Sequence, residues 1–203
     1  MCPAGPERIR SFIAIDIAAP VRAALHRLIA EIARCEADVR WVRVETLHVT
    51  LKFLGGVETQ RLEAVRAALA DAIQDRPALQ LQVRGLGAFP SLHRPRVLWV
   101  GLHGDGVVEL AAHIDAALAR IGCEPEKRAF TPHATLGRVS SLRGWQRLEE
   151  AIQAHRDDDF GASTVDAVTI YRSTLRPDGA VYTPLWTISL SRNKEGAHHG
   201  IGR

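Results

Sequence analysis

His48-Val49-Thr50-Leu51 and His133-Ala134-Thr135-Leu136 are two versions of one phrase, set 85 positions apart. Imidazole exchanges protons near neutrality because its ordinary pKa is about 6.5, so a matched pair offers one group to donate a proton and one to accept it. In an extended strand alternate side chains share a face. Each phrase therefore sets an imidazole and a hydroxyl on one side and apolar anchors, Val49 and Leu51 or Ala134 and Leu136, on the other. An isolated histidine in an apolar strand is ordinarily packed and hydrogen-bonded. Two copies of the same polar pair are harder to read that way, because each unpaired group would carry its own burial cost. The repeated phrases point to one shared site.

The choice of chemistry narrows by what the phrases lack. Neither has a second histidine or a carboxylate at ligand spacing, no HExxH occurs, and Cys2, Cys35 and Cys123 are scattered, so no metal site is expected. There is no GxSxG elbow for a serine nucleophile and no GxxxxGK[ST] loop for a nucleoside triphosphate. Acid–base work on an anion remains. In-line displacement at phosphorus puts the entering and leaving oxygens on opposite sides, so a base for water and an acid for the leaving alkoxide must face one another. Two histidines on opposed strands fit that need. The Thr50 and Thr135 hydroxyls are candidates to bond the non-bridging phosphate oxygens. The residues alone do not say which histidine is acid and which is base.

The repeat reaches beyond the phrases to the elements that must hold them. Thirty-three residues before each histidine lies an apolar run, Ile15 in one and Val100 in the other, and Gln60-Arg61-Leu62-Glu63 is matched by Gln146-Arg147-Leu148-Glu149. The chain reads twice as strand, helix, His-strand, helix, strand, a pseudo-twofold arrangement and not a solenoid. Strands are predicted at 9–17, 47–54, 79–83, 97–102, 133–139, 165–175 and 181–190, with a short extended segment at Trp41-Val42. Helices are predicted from Pro20 to about Cys35 and over 59–73, 107–121 and 142–155. Residues 85–96 read as a loop joining two lobes, Asp157-Asp158-Asp159 as a break, and Arg176-Pro177-Asp178-Gly179 as a hairpin turn. Hairpins among alternating helices and strands favour an α+β fold over a doubly wound parallel sheet.

Composition permits a sizeable core, with 46% hydrophobic residues in 203. The formal charge of only +3 means that affinity for a polyanion must come from local clustering of basic groups. Three separated cysteines fit reduced thiols and a cytoplasmic protein. The first residues lack the apolar core of a signal peptide, and no window is apolar enough to span a membrane. Residues 193–203 read as a fraying tail after a single domain over 1–192.

The paired HxTL phrases, with Arg10-Ser11-Phe12-Ile13-Ala14-Ile15-Asp16, Arg40-Trp41-Val42, Lys52-Phe53-Leu54-Gly55, Pro95-Arg96-Val97-Leu98-Trp99-Val100-Gly101-Leu102, Phe130-Thr131-Pro132, Gly137-Arg138 and Tyr182-Thr183-Pro184-Leu185, resemble the 2H phosphoesterase superfamily. More narrowly, the chain resembles the RNA 2′,3′-cyclic phosphodiesterases, also called the bacterial 2′-5′ RNA ligase family, over about residues 9–190. The resemblance implies a bilobed pseudo-twofold fold in which two mainly antiparallel sheets face a central cleft with helices outside. It implies no cofactor, and hydrolysis of 2′,3′-cyclic phosphate ends of RNA, or of small cyclic nucleotides, to 2′-phosphomonoesters. The protein is expected to be a monomer. By motif position His48 would be the proton donor, His133 the proton acceptor, and Thr50 and Thr135 the phosphate ligands.

Arg138 lies five residues beyond His133, on the opposite face of a regular strand, and is divided between phosphate ligand and structural pairing. Phe53, at the same distance from His48, reads as core. His93 and Arg94 read as solvated loop residues, and His26, His103, His113 and His155 as surface groups. Two other functions compete: a non-catalytic module that holds RNA ends, and 2′-5′ ligation by the same in-line chemistry with a 5′-hydroxyl in place of water.

Overall fold

A computed structural model describes residues 7–177 and 179–191. Cys2, Asp178 and the 193–203 tail, each part of an expectation above, lie outside the described residues. The helices are α1 (Ala19–Ile32), α2 (Leu62–Ile73), α3 (Val107–Arg120) and α4 (Trp145–Ala154). Each buries one stripe at helical spacing, for example Val21, Leu25, Leu28, Ile29 and Ile32 in α1 and Val107, Leu110, Ala111, Ile114 and Leu118 in α3. None has a side-chain hydrogen bond at its N-cap. A cap is worth about 1 kcal/mol, whereas each fully buried Leu or Ile is worth roughly 1.5–3 kcal/mol, so docking of the apolar stripes holds these helices.

The strands are β1 (Arg8–Asp16), β2 (Val39–Trp41), β3 (His48–Glu58), β4 (Leu79–Phe89), β5 (Val97–His103), β6 (His133–Val139), β7 (Asp159–Val165), β8 (Ala167–Arg176) and β9 (Gly179–Ser189). They form one curled sheet in the order β7-β4-β5-β6-β3-β1-β8-β9, with β2 paired to β6 and every named pairing antiparallel. The helices cover its outer face and the inner face lines a cleft, an α+β fold. The expectation of two sheets is corrected to one continuous sheet. β3 and β6 meet through the pair Val49↔Ala134, which joins what would otherwise be a five-stranded part (β7, β4, β5, β6 and β2) and a four-stranded part (β3, β1, β8 and β9). Both residues are fully buried, so this junction sits in the core.

Three other differences have local causes. The stretch 85–89, read as loop, continues β4. Its Gly87 lies under the ring of Trp99, where an added Cβ would come within 2.3 Å of the indole, so the glycine that looked like a turn signal is clearance for a neighbour. Strand β7 begins at Asp159, inside the predicted break, and its register with β4 runs from Leu79↔Val165 to Arg84↔Asp159. α4 begins at Trp145, after Gly144 in a left-handed conformation, and not at Leu142.

Candidate active site

β3 and β6 bring the two phrases together at the centre of the sheet. With Val49 opposite Ala134 and both turned into the core, His48, Thr50, His133 and Thr135 all face the cleft. The two histidines are held alike. His48 Nδ1 lies 2.7 Å from the Thr46 carbonyl and His133 Nδ1 lies 2.7 Å from the Thr131 carbonyl. A carbonyl only accepts, so each Nδ1 carries the proton and each Nε2 is left to react. Thr46 and Thr131 were not singled out in the sequence, although they too are 85 positions apart and extend the phrase to TxHxTL. The carbonyl does the holding, so the threonine side chains are not what this contact requires. Among the described residues the Thr50 and Thr135 hydroxyls have no side-chain hydrogen bond, which leaves them available to an anion.

Beyond the threonines a regular strand would turn its fifth residue away, and here both strands bulge. β1 pairs Ala14 with Thr50 and Ile13 with Lys52, leaving Leu51 as the extra residue. β5 pairs Trp99 with Thr135 and Leu98 with Gly137, leaving Leu136 extra. One additional residue reverses the face of all that follows. Phe53 therefore shares the cleft face with Thr50, and Arg138 shares it with Thr135. Phe53 is 63% exposed at the cleft mouth, which corrects its reading as core. Arg138 is exposed and forms no ion pair among the described residues.

The surroundings of the two imidazoles differ. His48 lies opposite Asp16 of β1, and its ring packs 4.9 Å from Phe12 and edge-on to Tyr182 at 5.1 Å. The Tyr171 hydroxyl donates to Asp16 Oδ1 at 2.8 Å. Burial, with the bond to Asp16 adding to it, pushes the Tyr171 pKa up to about 12, so this phenol stays a neutral donor. Burial also holds His48 below the usual imidazole pKa; the Thr46 carbonyl and the Asp16 charge oppose that shift, and His133 adds slightly to it. His133 lies opposite Gly101, with Phe89 edge-on at 4.9 Å and Trp99 behind Phe89 at 5.2 Å.

Among the described residues no group of three or more His, Cys, Asp or Glu side chains is placed to hold a metal ion. His155, read as a lone surface group, bonds Asp158 at 2.7 Å and lies 3.4 Å from Glu31, which ties the end of α4 to α1. Cys35 and Cys123 are free thiols. No helix among the described residues is long and apolar enough to cross a membrane.

Comparison with known proteins decides the family. The model of the LigT like Phosphoesterase family matches residues 15–99 and 102–182, one stretch for each histidine phrase. The chain belongs to the LigT-like phosphoesterases. It is 31% identical to the RNA 2′,3′-cyclic phosphodiesterase of Methanothermobacter thermautotrophicus over 88% of this chain and 97% of that protein. It is likewise 31% identical to the enzyme of the same name from Escherichia coli over 91% and 98%. Among solved structures, TT0787 of Thermus thermophilus superposes with a TM-score of 0.78 at 27% identity, covering 91% of this chain and all of that one. E. coli LigT complexed with 3′-AMP superposes with a TM-score of 0.76 at 30% identity, covering 91% and 99%.

Proposed function

We propose that this LigT-like phosphoesterase hydrolyses 2′,3′-cyclic phosphate ends of RNA to 2′-phosphomonoesters in the cytoplasm, with His48 as acid and His133 as base. The observation that carries the reading is the matched pair of imidazoles, each pinned through Nδ1, with both reactive Nε2 edges and two unengaged threonine hydroxyls on one cleft face.

In the reaction His133 Nε2 accepts a proton from water as the water oxygen forms its bond to phosphorus. The P–O3′ bond breaks and the His48 Nε2 proton passes to O3′. The product carries its phosphate on O2′ and a free 3′-hydroxyl; proton exchange with solvent then restores both imidazoles. Thr50, Thr135 and Arg138 bond the non-bridging oxygens, where negative charge is held in the transition state.

The assignment of roles rests on the asymmetry between the halves. An acid must be cationic before it donates, and Asp16 opposite His48 favours the imidazolium, whereas Gly101 opposite His133 supplies no charge. Burial of His48 works against protonation in the free protein. The anionic cyclic phosphate, seated between the imidazoles, adds the charge that raises it.

The test is incubation with an oligonucleotide ending in a 2′,3′-cyclic phosphate in the presence of EDTA, followed by determination of product regiochemistry. Turnover to a 2′-phosphate is expected. A product with only a 3′-phosphate, or strict dependence on added divalent metal, contradicts the mechanism, and tight binding of the end without turnover makes the protein an RNA-end binding module. Ligation uses the same geometry with a 5′-hydroxyl replacing water and is read in the same assay as a 2′-5′ bond.

A further inference from the structure

Beyond the cleft, Arg138 lines a second concavity. An open cavity of ≈ 450 Å³ lies where β6 leaves the sheet, bounded by Pro95, Arg96, Arg138, Val139, Ser140 and Leu142. That volume is within the range of small-ligand sites, roughly 300–1,000 Å³. The backbone fixes its walls: Val139 N–H donates to the Arg96 carbonyl at 3.0 Å and Ser140 N–H to the Asp38 carbonyl at 2.8 Å. Arg96 and Arg138 form no ion pair among the described residues, and Arg40 of β2, opposite Arg138 in register, forms none either. Three arginines thus occupy neighbouring backbone positions at one end of β6 without an ion pair among the described residues, two of them lining the cavity, in a protein whose formal charge is only +3. Asp38, the nearby acid, is engaged by the Ser141 hydroxyl at 2.6 Å. Ser141 has spent its proton there and can only accept; Ser140 has no such bond and can donate. Between these polar groups stand Pro95, Val139 and the side chain of Leu142, which is 61% exposed.

Unpaired guanidiniums and a free hydroxyl beside a small apolar wall match a nucleotide, whose phosphate takes the charge and whose base or sugar covers the apolar surface. We propose that this cavity is a second nucleotide subsite, in which Arg96 and Ser140 hold the phosphodiester of an RNA chain whose cyclic end lies between His48 and His133. The proposal rests on the cyclic-phosphate reading of the cleft. Arg138 is the link: it shares the cleft face with Thr135 and is also one of the residues that line the cavity. An RNA ending in a cyclic phosphate extends only toward its 5′ side, so the subsite takes an upstream nucleotide and distinguishes an oligonucleotide from a cyclic mononucleotide.

The experiment compares kcat/KM for a 2′,3′-cyclic mononucleotide with that for a short oligonucleotide carrying the same cyclic end. It uses the wild type, Arg96→Ala and Ser140→Ala, with thermal melts to establish folding. The wild type is expected to prefer the oligonucleotide. Arg96→Ala should lower oligonucleotide kcat/KM by about tenfold, mainly through KM, and flatten its salt dependence by about one phosphate contact, while the mononucleotide rate stays within twofold. Ser140→Ala should act in the same direction with a smaller effect. Equal loss on both substrates, or no loss on either, in folded variants overturns the subsite. Failure of the wild type to hydrolyse even the mononucleotide overturns the cleft reading instead, so the two failures are distinct.

Discussion

The strand that carries His48 and the strand that carries His133 bury the same positions through their first seven residues, and both bulge immediately after the HxT phrase. Their backbones are close copies. Their side-chain partners are not: Asp16 stands opposite one imidazole and Gly101 opposite the other, and the bulge delivers Phe53 to one side of the cleft and Arg138 to the other. The residue before each of these also diverged. Lys52 is buried and pairs with Asp115 of α3 while donating to the Glu124 carbonyl, which ties the first half's His-strand to the second half. Gly137 sits where an added Cβ would come 2.6 Å from Val39, because β2 closes over it. A duplicated frame thus fixes two matched imidazoles, and the surroundings make them unequal.

The most damaging break in this comparison is removal of either imidazole. His48→Ala and His133→Ala should each lower kcat by about 10²–10⁴, the usual worth of positioned acid–base catalysis. The double variant should lose less than the product of the two, since the pair acts as a unit. Steady-state kinetics on folded protein checks this, and a single variant within about threefold of wild type would end the paired mechanism.

Next come the two residues delivered by the bulges, which should fail differently. Arg138→Ala removes a cationic donor from the phosphate and should cost on the order of 10², chiefly in kcat. Phe53→Ala removes an exposed aromatic face at the mouth and should raise KM by about tenfold with kcat nearly unchanged, near the lower end of the 1–3 kcal/mol that stacking on a base contributes. Measured kcat and KM for both variants would erase this distinction if the effects fell on the same constant.

These two positions also mark where the sequence stops being legible. Period-two alternation places His48, Thr50, His133 and Thr135 on one face with no further information, because two residues of strand are too short to accumulate error. A bulge is set by the partner strand and the packing behind it, so neither Leu51 nor Leu136 announces that it is the extra residue, and period-two alternation alone turns Phe53 into the core. The same limit hid the continuity of the sheet. The alternation within β3 and β6 is clear, but that Val49 meets Ala134 is a tertiary fact. Helices were legible because each buries a whole stripe, whereas β7, edge-placed and starting at the last of three aspartates, has little apolar pattern to read.

The smallest expected effect is the most informative about the inequality of the halves. Asp16→Asn keeps an acceptor for the Tyr171 hydroxyl and removes one charge near His48. Asp16 opposes the downward shift imposed by burial, so its neutralisation lowers the His48 pKa further. The sign of the consequence depends only on the role of His48. Above both pKa values the rate is proportional to the fraction of acid still protonated, and below both it is proportional to the fraction of base already deprotonated. If His48 is the acid, the variant loses activity on the alkaline side and is unchanged on the acid side. If His48 were the base, the variant would gain activity on the acid side and be unchanged on the alkaline side. The change should be a few-fold, and a shift of one pKa unit would make it about tenfold. Because the macroscopic pKa values belong to the coupled pair, the comparison is made at the two extremes of the pH–rate profile and not from fitted midpoints. Gain on the acid side would reverse the assignment of His48 and His133, and an unchanged profile would remove Asp16 from the mechanism.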